Sequence, residues 1–381
     1  MMNARVNLQD IIAEAHRLGF LLFGVSGLEQ PVSYPSYQQW IAGKYHAGME
    51  YLATDRALSI RQNPRLLMPE AKSILTLAFP YPVPFLAKLP PGRGRTASYS
   101  WGPDYHNLIP PRLLELARLL EKMAGRPCTI KVYTDTGPIL ERDLAQRSGL
   151  GWIGKNSCLI NPSYGSFFFL AELFTDLEIQ PTSPFTEQRC GSCTRCLDAC
   201  PTGCIRSDHT IDASRCISYL TIENKNSISL KLRPLIGNWV FGCDICQMVC
   251  PWNRFANPER HAVEFHAPEC HQFPNLGDEL TLTPQEFNRK FKDSPVQRAR
   301  RRGYLRNIAV ACGNAPDPGY IKPLSDLLLN DPDSVIRSAA AWALSCQKSE
   351  LARSVLNKAN KSESDPQVQE EIHQGLGLPD I

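Results

Sequence analysis

The stretch CGSCTRCLDACP, from Cys190 to Pro201, spaces its cysteines by two, two and three residues and closes on a Cys-Pro pair. This is the bacterial ferredoxin run, in which three thiolates hold one [4Fe–4S] cluster and the fourth reaches across to a second. A second run, CDICQMVCP from Cys243 to Pro251, ends the same way but lacks a cysteine three residues before Cys243. Cys216 is the replacement, because the intervening insertion can loop out and still bring Cys216 and Cys243 to one cluster. By the cross-over rule, Cys190, Cys193, Cys196 and Cys250 hold one cluster, and Cys200, Cys216, Cys243 and Cys246 hold the other. Zinc is the alternative, since paired CxxC motifs also build four-thiolate zinc sites; the Cys-Pro endings and the spacing favour clusters. Cys204 is either a rival ligand or a buried thiol. Cys128, Cys158, Cys270, Cys312 and Cys346 stand alone, and packing is their expected role.

Working outward, the 381 residues exceed one ordinary core and predict two or three domains. Fourteen cysteines would mean disulfides in a small secreted chain. Here most fall in ligand spacings, and the first twenty residues show no apolar signal core and no twin arginine, so a reduced, cytoplasmic protein is expected. The most apolar stretch, Ser73 to Ala87, is broken by Pro80, Pro82 and Pro84 and is too short for a bilayer.

Residues 1–180 alternate helical and strand patterns, which predicts an α/β domain. Ile11, Ile12, Ala15 and Leu18 mark a helix. Phe20 to Val25, Ser73 to Phe79, Cys128 to Tyr133 and Ser166 to Phe174 mark strands. A helix is expected to start at Pro110 and Pro111 and to continue through Leu113, Leu114, Ala117, Leu120 and Met123. Residues 181–260 form a metal-held module in which ligation replaces a core. Residues 261–381 comprise a connector and a helical region whose segments Tyr304 to Ala311 and Val335 to Trp342 resemble each other. Asp331-Pro332 is echoed at Asp365-Pro366, and HEAT-like stacked helices fit this pattern.

Gly149-Leu-Gly151-Trp-Ile-Gly154 matches GxGxxG, but it follows a helix-like segment rather than a strand, and Glu172, the nearest acidic residue downstream, sits in a strand pattern. A dinucleotide site is therefore not expected. The segment TDTGPILERD, Thr134 to Asp143, runs from a strand end through a Gly-Pro turn into a helix. Asp135 there is either a general acid or a helix N-cap.

TDTGPILERDLA, GLGWIGKN (149–156), CGSCTRCLDACPTG (190–203), RCISYLTIE (215–223) and GCDICQMVCPWN (242–253) together resemble the epoxyqueuosine reductase family, through essentially the whole chain. The resemblance implies a cobalamin-binding first domain, two [4Fe–4S] clusters, and reduction of an epoxide in tRNA to an alkene, with an external electron donor. No DxHxxG signature is present, so cobalamin rests on the resemblance alone. It further implies Asp135 as proton donor near the departing oxygen, with Glu141 and Asp143 as alternatives. Arg61, Tyr99, Ser100, Lys155, Asn156, Ser157, Ser218, Tyr219 and Thr221 become candidate cobalamin contacts, with packing or surface pairing as their other reading.

The tRNA end has its own trace. Eight basic residues against two acidic ones lie between Pro284 and Arg306, although the chain carries only +3. In a helix starting near Val296, Arg298, Arg301 and Arg302 share a face, and with Arg300 they are candidate phosphate contacts. The rival readings are a reductive dehalogenase-like enzyme for a small molecule, which would carry an export signal, and a plain ferredoxin-like carrier, which would need no large first domain. A monomer is expected.

Overall fold

The computed structural model describes residues 7–84, 89–255 and 269–378. The last residues of the Ser73 to Ala87 stretch and much of the connector after residue 255 therefore lie outside the description. The chain divides into two compact units, residues 1–85, 102–213 and 245–266 forming one and residues 86–101, 214–244 and 267–381 the other. The cysteine-rich stretch is shared out rather than standing apart. A module with no apolar core of its own has its segments gathered by whichever neighbour provides one.

In the first unit, four strands form one sheet in the order Leu22–Ser26, Ser73–Pro80, Phe168–Thr175, Ile130–Tyr133. The expected mixture of helices and strands is present, but every neighbouring pair is antiparallel. The strand-end rule for open parallel sheets therefore does not account for Asp135, whose exposure has a local cause given below. Phe168–Thr175 reads as a nearly continuous apolar run because helices cover both faces of the sheet. Leu8–Arg17 and Tyr105–Ala124 bury Ile11, Ala15, Ile109, Leu113, Leu116 and Leu120, and Tyr105 stacks on Phe169 with ring centroids 4.2 Å apart. On the opposite face, Leu144 and Ile139 pack with Ile74 and Phe174.

The helix expected to start at Pro110 starts five residues earlier, at Tyr105, capped by the Asp104 carboxylate on the His106 N–H. Both prolines lie inside it. Lying past the first turn, they remove the donors that would bond the His106 and Asn107 carbonyls, and the helix carries that loss. The GxGxxG segment builds a hairpin of Trp152–Ile153 against Leu159–Ile160. A Cβ on Gly151 would stand 2.1 Å from the Ile160 carbonyl oxygen, so this glycine serves close strand approach rather than phosphate binding.

In the second unit, helices Arg300–Asn314, Ile321–Asn330, Ser334–Cys346, Glu350–Asn360 and Pro366–Leu376 share one apolar core with Val240 and Phe241. The two self-similar segments pair as neighbouring helices. The Asp-Pro echo is out of phase: Asp365 caps the last helix with Pro366 at its first turn, whereas the matching cap is Asp333, two residues after Asp331. Nor does a helix begin near Val296. Pro295–Ala299 is a 3-10 turn, and the α-helix starts at Arg300 after a backbone break with φ +56°.

Arg306, counted in the basic run, is a core residue at 1% exposure. It donates to the carbonyls of Leu220, Asn224 and Asn226 at 2.5–2.7 Å. Asn307 beside it donates to the Thr221 and Val240 carbonyls. Together they tie residues 220–240 to the repeat helices. Arg306→Met should lower unfolding free energy by roughly 3 kcal/mol, because charge-assisted bonds are lost and buried carbonyls left bare; chemical denaturation checks it.

Candidate cluster site and acidic turn

Cys190, Cys193, Cys196 and Cys250 line one small, partly open cavity with Lys155, Asn156, Ile160, Arg195, Pro251 and Trp252. These are the four thiols that the cross-over rule assigns to one cluster. Among the described residues no three Cys, His, Asp or Glu side chains converge tightly enough for a single metal ion. Thiols spaced around a cavity suit a cube of iron and sulfide instead. Burial first, then Cys190 and Cys250, pushes the Cys196 thiol up to about 11. Iron, by binding thiolates, removes that cost.

The hairpin made from the glycine-rich segment clasps this cavity. The Trp152 indole N–H points at Cys190 Sγ, 3.5 Å away, and Trp152 itself is fully buried, edge-on to Trp252. Lys155 Nζ donates to the carbonyls of Gly191 and Cys193 at 2.7 and 2.9 Å. Asn156 donates to the Cys246 carbonyl, and Ser157, in a left-handed conformation, bonds the His209 carbonyl. These three residues, expected as cobalamin contacts, also bond backbone carbonyls of residues 191–246.

Cys200 and Cys246 also belong to the first unit, and Cys204 is buried with its sulfur 3.4 Å from Cys200 Sγ. In the second unit, Cys216 caps the Ile217–Ile222 helix. Thr221 in that helix is fully buried, donating to the Ile217 carbonyl and accepting the Gly242 N–H. It has no exposed surface to offer a cofactor, and its bonds fix the approach to Cys243. Ser218 and Tyr219 stay half-buried. Ser100 is buried on the Ala97 carbonyl, and the Tyr99 ring packs near Phe241. In the first unit Arg61 is buried with its guanidinium over the Tyr37 ring, 5.2 Å from the centroid.

At the end of Ile130–Tyr133 the chain turns sharply. Thr134 is buried and donates to the Leu170 carbonyl at 2.9 Å, and Asp135 follows, exposed, with φ +55°. That left-handed backbone is costly for a non-glycine residue. Two bonds hold it: the Asp135 N–H donates to Glu141 at 2.7 Å, and the Tyr105 hydroxyl donates to the Asp135 carboxylate at 2.8 Å. Asp135 is thus no helix cap; the cap position of Glu141–Arg147 is Leu140. Asp143 is removed as an alternative acid, since it is buried, accepts the Ser33 N–H and pairs with Arg147. Glu141 does reach the turn. Behind it stands Glu172, fully buried in the central strand, a charge in the run FFFLAELFT that signalled something other than packing. Tyr105 and Trp152 carried no such signal.

The basic run is largely occupied within the second unit. Arg301 donates to Asp331 and to the Leu282 carbonyl, Arg302 pairs with Asp333 and Arg298 with Glu223. Arg300 is exposed and forms no ion pair among the described residues. The shared face of Arg298, Arg301 and Arg302 does not exist, because the backbone break at Arg300 separates Arg298 from the helix.

Comparison with known proteins bears on both features. Residues 189–253 match a 4Fe-4S double cluster binding domain, residues 61–136 match the family described as "Epoxyqueuosine reductase QueG, DUF1730", and residues 298–377 match HEAT repeats. Epoxyqueuosine reductase of Pseudomonas aeruginosa is 38% identical over 341 residues, covering 88% of this chain and 93% of that protein. The Escherichia coli enzyme is 36% identical over 335 residues, covering 87% and 86%. Among solved structures, epoxyqueuosine reductase with a tRNA-Tyr epoxyqueuosine-modified stem loop superposes with TM-score 0.90 at 32% identity, covering 97% of this chain and 98% of that one. The Bacillus subtilis enzyme, with an aspartate's catalytic loop swung out of the active site, gives 0.88 at 31%, with coverage of 97% and 98%.

A sheet unit carrying a ferredoxin-type thiolate cage, in a chain that ends in HEAT repeats, defines an iron–sulfur oxidoreductase. The chain belongs to the epoxyqueuosine reductase family. No described helix is long and apolar enough to cross a membrane.

Hydrogen bonds to cluster sulfurs raise reduction potential by stabilising the more negative reduced state. Trp152→Phe should therefore move the midpoint potential of the cluster held by Cys190 to a more negative value, read by redox titration with paramagnetic resonance detection.

Proposed function

We propose that this protein reduces epoxyqueuosine to queuosine in the anticodon loop of tRNA, with Asp135 donating a proton to the departing oxygen. The observation that carries the reading is the Asp135 turn: an exposed carboxyl held in a strained conformation by Tyr105 and Glu141, in the unit that also holds the four-thiol cavity. The net reaction takes an epoxide, two electrons and two protons to an alkene and water. A cluster passes one electron at a time, so two deliveries are needed, and residues 189–253, which match a double cluster binding domain, supply a second cluster in this reading. An external donor must supply the electrons.

Cobalamin enters through the family. When bound it supplies a strongly reduced, nucleophilic cobalt suited to opening an epoxide. In the first unit the exposed Asp135 and Thr136 turn is the polar surface open to it, and in the second unit Ser218 and Tyr219 keep surface to offer. The chain's own part is to hold the turn and to place a proton at the oxygen that leaves.

For tRNA, exposed Arg300 is the first phosphate contact to consider, with Arg298 and Arg302 able to exchange surface carboxylate partners that are worth little in water. Arg301 is bound to the half-buried repeat interior and serves the fold. Base access requires the modified nucleotide to be presented from the loop rather than read within a helix.

Anaerobically reduced protein with cobalamin should convert epoxyqueuosine-containing tRNA to the queuosine form; no turnover with both clusters loaded would overturn the proposal. Asp135→Asn should retain the clusters and lose about a hundredfold or more in kcat. Arg300→Ala should weaken tRNA binding and lower the salt slope by about one unit, measured by titration over a range of salt.

A further inference from the structure

We infer that Glu141 and Glu172 share a proton inside the first unit and act together as a positioning pair for Asp135, Glu172 holding Glu141 and Glu141 holding the turn. The inference rests on the reading of Asp135 as proton donor.

Glu172 is fully buried in the middle of Phe168–Thr175. Its directly paired neighbours, Thr76 and Tyr133, project to the same face and carry no charge. Among the described residues neither Glu172 oxygen has a hydrogen-bond partner. A bare carboxylate in that position is untenable. The carboxyl next to it is that of Glu141, and a proton on either group would let the two bond and would lower the penalty. Of the charged groups near the pair, Asp135 disfavours its ionisation and Arg142 favours that of Glu141. Arg142 also donates to the Ser157 carbonyl. From the helix on the other face, Tyr105 donates to Asp135 and stacks on His106.

Burial, then Asp135, raises Glu141 to about 8. Burial, then Glu141, raises Glu172 well above the ordinary carboxylate range. The pair therefore keeps a proton at neutral pH. While it does, Glu141 is anchored and accepts the Asp135 N–H that stabilises the left-handed turn. When the last proton leaves, two anions face each other in an apolar interior. Glu141, partly exposed at the start of its helix, is the one that can swing to water, and its hold on Asp135 goes with it. Sign follows from these directions: folded-state pKa values above the unfolded ones mean stability is greatest in acid and is lost as pH rises through about 8.

The test uses the cluster-loaded protein. Infrared difference spectra should show a protonated-carboxyl band at neutral pH that titrates away in alkali and is absent or halved in Glu172→Gln. Hydrogen exchange of the peptide spanning Asp135 should speed up in Glu141→Leu, with kcat reduced about a hundredfold, the scale of a small misplacement, and KM little changed. Glu141→Gln keeps the acceptor for Asp135 and gains a donor for Glu172, so it should restore most of kcat and flatten the alkaline limb of the pH profile. No protonated-carboxyl band, or unchanged exchange and kcat in Glu141→Leu, overturns the inference. Should Asp135→Asn turn over normally, Asp135 loses its role as donor, while the band and the exchange data still decide whether the pair exists and holds the turn.

Discussion

Thiolates from distant parts of the chain have to meet around iron, and much of the architecture answers to that demand. A stretch rich in cysteine, proline and glycine cannot hold itself by apolar burial, so its backbone is pinned by donors reaching in from a rigid neighbour. In the first unit that neighbour is the hairpin built on residues 152–160: Lys155 secures the Gly191 and Cys193 carbonyls, Asn156 secures Cys246, and Trp152 faces Cys190. In the second unit the same work falls to Thr221, Arg306 and Asn307, which stitch the helix after Cys216 and the strand before Cys243 to the repeat core.

This division explains why several basic and polar residues serve as fasteners of the backbone. An arginine such as Arg306 costs several kcal/mol to bury, and that cost is met only where loop carbonyls lack other donors. The insertion between Cys216 and Cys243 is such a place. Arg301 follows the same logic between helices of the repeat. Of the run, Arg300 stays exposed and outside such fastenings among the described residues.

The acidic turn obeys the opposite principle. There the fold maintains strain and a buried acid pair in a sheet otherwise filled with aliphatic and aromatic side chains. A left-handed aspartate and a glutamate inside a central strand each lower stability, and the surrounding sheet, helix and aromatic stack supply the excess that tolerates them. Such departures from packing rules concentrate where chemistry is done, and here Glu141 bonds the strained aspartate directly.

Cysteine spacing, the strand runs and the helical tail were readable in the sequence because each depends on local pattern: thiolate geometry on short spacings, strands and helices on hydrophobic period. The motif strings also carried the family. Asp135 stood out by its place in TDTGP, yet the sequence left it between acid and helix cap, and only the turn geometry removed the cap reading. The antiparallel sheet, the helix start at Tyr105, the burial of Arg306 and the meeting of Glu141 with Glu172 were decided by tertiary structure. Each depends on which distant segment lies opposite, and a charged side chain reads the same in a sequence whether its partner is water, a loop carbonyl or another acid.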